Sequence, residues 1–162
     1  MVVVLDPGLA EAATPLEAMA HLSALVPFIE LPDIMVEGKP TGAEIVATNA
    51  AYRGGVLGTP IQITPANAAP LLAALAAMEV VVTEERAGRE IGREKGSVLM
   101  GNPINAALWL ARTLKADGVA LKPGDLLSLG GFLASAPTQA GTTMRVRYLG
   151  LPGDPAVTVH FD

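Results

Sequence analysis

Apolar residues fall in short runs along this chain, and the breaks between the runs mark the elements. Val2–Leu5 is an unbroken apolar run of strand length, and Asp6-Pro7-Gly8 turns it. Thr14-Pro15-Leu16-Glu17 is a capping box with proline at the first helical position, which predicts a helix to about Leu25, ended by Pro27. Phe28–Leu31, bounded by Pro27 and Pro32, reads as a short buried strand. Thr41-Gly42-Ala43-Glu44 is a second capping box, and it predicts a helix to about Tyr52 that Gly54-Gly55 stops.

Glu79–Thr83 and Arg89–Arg93 alternate like the arms of a hairpin around Ala87-Gly88. Asn102-Pro103 opens the clearest helix: Asn is the N-cap, Pro stands at N1, Ala106, Leu110 and Leu114 form a stripe, and Gly118 stands at the C-terminal cap. On this basis Asn102→Ala is expected to cost about 1 kcal/mol, and Asn102→Asp to be close to neutral. Strand-like runs follow at Leu126–Leu129, Met144–Tyr148 and Ala156–Phe161. No repeat or linker divides the sequence. The predicted class is α+β: a single domain over 1–162 with a mostly antiparallel, rolled β-sheet and a few packed helices.

Composition sharpens this. Apolar residues make up 51% of the chain but aromatics only 4%, so the core must rest on Ala, Val, Leu and Ile. The absence of Cys excludes disulfides, thiolate metal sites and cysteine nucleophiles, and fits a reducing, cytoplasmic location. A net charge of −5 argues against nucleic acid as a partner. Gly54–Met78 carries no charge, but Pro60, Pro65 and Pro70 with Gln62, Thr64 and Asn67 make it buried loops and a short helix rather than a membrane span.

Candidate chemistry is sparse. There is no Gly-x-Ser-x-Gly elbow, P-loop, dinucleotide fingerprint or His-Glu-x-x-His, and His21 and His160 lack metal spacing. Carboxylates remain. Glu30 interrupts the apolar run Val26–Pro32; either strand alternation puts it on a wet face, or it is a buried carboxylate that needs a partner or a cation. Asp33 and Glu37 are auxiliary ligands or exposed loop acids. The alternating charges of Glu84–Lys95 read as a solvated hairpin, and Trp109 as core.

The segment Gly96–Arg112, GSVLMGNPINAALWLAR, closely resembles the Gly-x-Pro-x-Asn-Ala-x-x-Trp-Leu segment of 2-keto-4-pentenoate hydratases, of the fumarylacetoacetase superfamily. Leu121–Gly130 resembles their Gly-Asp-(apolar)₂-x-Thr-Gly strand, Pro27–Asp33 the strand that delivers a metal-binding Glu, and Val46–Ala51 their Asp-Asn-Ala-Ser segment. The resemblance implies a fumarylacetoacetase C-terminal-like fold and a Mg²⁺ or Mn²⁺ held by three carboxylates. It also implies a 2-oxo acid partner whose enolate the metal stabilises. It assigns Glu30 as a metal ligand and Asn49, Ser128 and Gly130 to the substrate pocket. The implied activity is hydration of 2-hydroxypenta-2,4-dienoate-type acids. The alternatives are decarboxylation of a 2-oxo-3-enedioate and a non-catalytic fold for assembly or binding.

The sequence departs from that pattern. The family's Glu-x-Glu ligand pair and its N-terminal domain precede the position of Val2, so an incomplete metal site and weak cation binding are expected. Thr48, Ala51 and Leu129 replace the family's Asp, Ser and Thr, and Asn102 its frequent His. The shortened N-terminus is also expected to leave Val2–Leu5 as an unpaired strand edge, promoting a homo-oligomer.

Overall fold

The N-terminal apolar run is held between two distant partners in the computed structural model, which describes residues 1–33 and 35–162. The strands in chain order are β1 (Val2–Val4), β2 (Leu22–Leu25), β3 (Phe28–Pro32), β4 (Tyr52–Leu57), β5 (Ile61–Gln62), β6 (Glu79–Glu84), β7 (Arg89–Lys95), β8 (Leu126–Leu127), β9 (Thr143–Leu149) and β10 (Ala156–His160). The helices are α1 (Pro15–Met19), α2 (Gly42–Ala47), α3 (Ala68–Ala77) and α4 (Pro103–Ala116). Among the described residues every pairing between these strands is antiparallel, as expected of the α+β class, but the strands divide among three sheets: β5-β2-β1-β8, β10-β9-β6-β7 and the pair β3-β4.

β1 is not an edge. It pairs with β2 on one side and β8 on the other, and Val2 and Val4 are fully buried. The expectation of a free edge there fails, and with it that argument for self-association. The same pairing corrects the first helix. Thr14 caps α1 by accepting from the Glu17 amide, but the helix ends at Met19. Leu22–Leu25 is a strand because β1 needs a partner on this side, and the pairing lets Leu22, Ala24 and Leu25 bury.

α2 also stops early. Both bonds of its capping box form, yet Asn49, Ala50 and Ala51 take positive φ values of 56°, 52° and 65°, a left-handed turn that no right-handed helix continues. Gly54-Gly55 lies inside β4 instead of stopping a helix. The core joins the inner faces of β1, β2 and β6 to α3 and α4, with Leu9, Met19 and Ile104 fully buried.

α4 starts and ends where its pattern predicts, with Gly118 at φ 75°. Its deepest face is Ile104, Ala107, Leu108 and Ala111, one step round from the predicted stripe. Trp109, expected in the core, is 58% exposed because it points away from that face. Asn102 does two things: Oδ1 accepts from the Ile104 amide at 3.0 Å, and Nδ2 donates to the Leu72 carbonyl at 2.8 Å, tying α4 to α3. Asn102→Ala therefore removes two bonds and is expected to cost about 2 kcal/mol. Asn102→Asp is not neutral, because a carboxylate cannot donate to Leu72; we expect it to cost about 1 kcal/mol or more. Urea denaturation of both variants checks this, and an aspartate variant as stable as the parent would remove the Leu72 tie.

Candidate functional site

Strand alternation builds a cleft of about 990 Å³. Along β9, Met144, Val146 and Tyr148 face it, while Arg145 and Arg147 take the other face of the sheet. Val80 and Val82 of β6 and Ile91 of β7 extend the same apolar wall. The N-terminal part of β1 and the Leu25–Pro27 turn close one end, and the loop after β8, carrying Ser128 to Thr138, closes another side.

β3 forms the mouth. Glu30 and Asp33 both line the cleft and are exposed, so of the two alternatives for Glu30 the wet face holds, at the mouth of the cavity, and the buried carboxylate does not. Across the β3–β4 ladder Glu30 pairs with Gly55. A Cβ at Gly55 would lie 2.2 Å from the Phe28 ring and 2.6 Å from the Ile29 carbonyl, so this position admits no side chain. β3 as a whole is half-exposed, not the buried strand expected, because among the described residues β4 alone pairs with it.

Tyr148 spans the cavity. Its hydroxyl donates to the Phe28 carbonyl at 2.8 Å and accepts from the Phe28 amide at 3.2 Å. Burial pushes its phenol pKa upward, against the smaller opposing effect of the bond to Phe28. Sequence reasoning missed Tyr148, although the Met144-Arg145-Val146-Arg147-Tyr148 alternation already put it on the apolar face.

Of the pocket residues the resemblance assigned, Ser128 and Gly130 line the cleft, and Gly130 holds φ 106°. Asn49 is exposed and does not line it; its neighbours Ala50 and Ala51 do. The left-handed turn contributes through its backbone, since the Ala51 carbonyl accepts from the Asp33 amide at 2.8 Å. His21 lies outside the cleft and bonds Asp6 at 2.7 Å, which with the Gly8 amide holds that carboxyl below its usual range. His160 bonds Thr143 on the sheet surface.

The donors do not make a three-carboxylate metal centre. Glu30 and Asp33 are the carboxylates among the described lining residues, and no three His, Cys, Asp or Glu among the described residues stand together to hold a metal ion. No Lys, Arg or His is among the described lining residues either. No described helix is long and apolar enough to cross a membrane.

No family model matches the chain. Among curated proteins it is 31% identical to 2-hydroxyhexa-2,4-dienoate hydratase of Comamonas testosteroni over 126 residues, covering 77% of this chain and 45% of that protein. It is 29% identical to 2-keto-4-pentenoate hydratase of Paraburkholderia xenovorans over 131 residues, covering 78% of this chain and 46% of that one. Among solved structures, 4-oxalocrotonate decarboxylase from Pseudomonas putida complexed with magnesium and adipate superposes with a TM-score of 0.77 at 22% identity. That match covers 99% of this chain and 58% of the other. The chain thus spans about half the length of the curated relatives it matches.

Proposed function

We propose that this chain, which belongs to the 2-keto-4-pentenoate hydratase-like family, carries the cleft of a hydratase for 2-hydroxypenta-2,4-dienoate-type acids. In that reaction the enol O–H gives up its proton as C5 gains one, leaving a 2-oxo-3-enoic acid; water then adds across C3=C4, hydroxyl to C4 and proton to C3, and a 4-hydroxy-2-oxo acid results. Atoms balance with one water consumed and no redox change. The supporting observation is the lining: an apolar inner wall with two carboxylates at the mouth and no cationic side chain among the described lining residues.

That lining favours hydration over the decarboxylase alternative. A 2-oxo-3-enedioate brings a second carboxylate, and a carboxylate set against Ile91, Val159 and Phe132 has no side-chain counter-charge there. A pentadienoate brings only a vinyl tail, which the same wall accepts. Glu30 and Asp33 are the acid–base groups available at the mouth, and exposure lets them exchange protons with water. We assign the proton transfer to Glu30, because it stands within the β3–β4 ladder opposite Gly55, whereas Asp33 lies beyond the end of the strand. A divalent cation such as Mg²⁺ or Mn²⁺ would need oxygen ligands beyond these two carboxylates, so no step is routed through one.

The test is direct. The purified chain is mixed with 2-hydroxypenta-2,4-dienoate in magnesium-containing buffer, and loss of dienol absorbance is followed together with product formation. Hydration is expected, and Glu30→Gln is expected to slow it by roughly a hundredfold. Faster release of carbon dioxide from 2-oxohex-3-enedioate than hydration of the dienoate would overturn the reading. A second reading, ligand binding without turnover, draws on the lack of a three-carboxylate cluster among the described residues; it predicts saturable binding of the 2-oxo acid with no product.

A further inference from the structure

We propose that Tyr148 is a positioning residue that sets the placement of Glu30 and the width of the cleft. The inference rests on the 2-oxo acid reading of that cleft. Among the described residues β3 pairs only with β4, so its other edge has no hydrogen-bonded strand. At the first residue of that edge one side chain takes the place of a strand: the Tyr148 hydroxyl occupies both the carbonyl and the amide of Phe28. The hydroxyl has a single proton, and Phe28 receives it. Tyr148 therefore acts on β3 rather than on a ligand.

The two ends of this link differ in rigidity. β9 is paired along its length with β6 on one side and β10 on the other. The β3–β4 pair is half-exposed and, among the described residues, has no third hydrogen-bonded strand. Glu30 stands two residues beyond Phe28 on the same strand, so period-two alternation puts both side chains on one face. A shift at Phe28 reaches Glu30 through one intervening residue. Tyr148 also meets the opposite wall: the Phe132 ring, in the loop that carries Ser128 and Gly130, packs edge-on against it with centroids 6.4 Å apart and planes at 79°. One residue on the four-stranded sheet thus contacts both of the other walls.

Tyr148→Phe keeps the ring and removes the two hydrogen bonds. Amide exchange at Phe28 is expected to accelerate by roughly tenfold or more, while the β6–β9 amides keep their protection. The kcat for hydration of 2-hydroxypenta-2,4-dienoate is expected to fall by roughly tenfold, with KM changed less. That loss should largely disappear when Tyr148→Phe is introduced into Glu30→Gln, because a residue acting through Glu30 has nothing left to position. A merely structural Tyr148 would lower the unfolding midpoint and leave the two rate losses multiplicative. An unchanged Phe28 amide, or a multiplicative cycle in a chain that hydrates the dienoate, overturns the clamp alone. A parent chain that hydrates no dienoate overturns the functional reading, and the role in placing Glu30 falls with it.

Discussion

Gly96→Ala is expected to abolish the stable fold. An alanine Cβ at this position would lie 1.8 Å from the Leu75 carbonyl oxygen and 3.0 Å from its carbon, both backbone atoms. Neither side can yield easily. Leu71 and Leu75 anchor α3 in the core, and the Gly96 amide donates to the Met78 carbonyl at 2.8 Å, which fixes the segment from below. Moving α3 to make room would open the contact between α3 and the turn that leads into α4. The cost is about 4 kcal/mol or more, beyond the usual range for one overpacked methyl, because backbone must move. Circular dichroism in urea measures it. A shift smaller than about 1 kcal/mol would mean that the α3 terminus can retreat.

The second large effect falls on the site. Gly55→Ala drives a methyl into the Phe28 ring at 2.2 Å and toward the Ile29 carbonyl at 2.6 Å. The ring can turn away, but the carbonyl belongs to the strand that carries Glu30, so β3 must slide or bow. We expect a stability loss of about 2 kcal/mol, because the β3–β4 pair is half-exposed and outside the main core. The functional loss should be larger in proportion, with 2-oxo acid affinity reduced by roughly thirtyfold. Calorimetry beside a denaturation curve separates the two quantities. Equal affinity in the variant would show that the mouth strand has no part in binding.

These positions show which parts of the molecule could be read in the sequence. The β6–β7 hairpin and α4 were legible because their signals are local: a Gly-containing turn between alternating arms, and Asn-Pro at a helix start. α1 was predicted too long because nothing local in Leu22–Leu25 says that Val2–Val4 requires a strand beside it. α2 was predicted too long for a different reason. Three consecutive non-glycine residues in the left-handed region are costly, so propensity never predicts them, and only the surrounding contacts hold Asn49–Ala51 there.

The site was legible only in part. Glu30 stands out in the sequence because a carboxylate in an apolar run is conspicuous, and Ser128 and Gly130 through the resemblance to the hydratases; all three line the cleft. The apolar wall, Tyr148 and the demand for glycine at position 55 depend on which faces meet across three sheets. No local pattern encodes that. Trp109 shows the converse error: an aromatic on an amphipathic helix was read as core, yet it lies outside the buried arc by one step.

The central place of β1 also governs how the chain comes into being. Its two ladder partners lie at Leu22–Leu25 and at Leu126–Leu127, and β6 likewise waits for β9 at Thr143–Leu149. The first four-stranded sheet cannot close until Leu127 has left the ribosome, and the second until His160 has. Loop-closure entropy across such separations makes the late pairings slow, and until they form, the valine- and leucine-rich inner faces stay open to water and to other chains. Yield in cells should therefore depend on translation speed, temperature and chaperone supply more than the stability of the finished molecule would suggest.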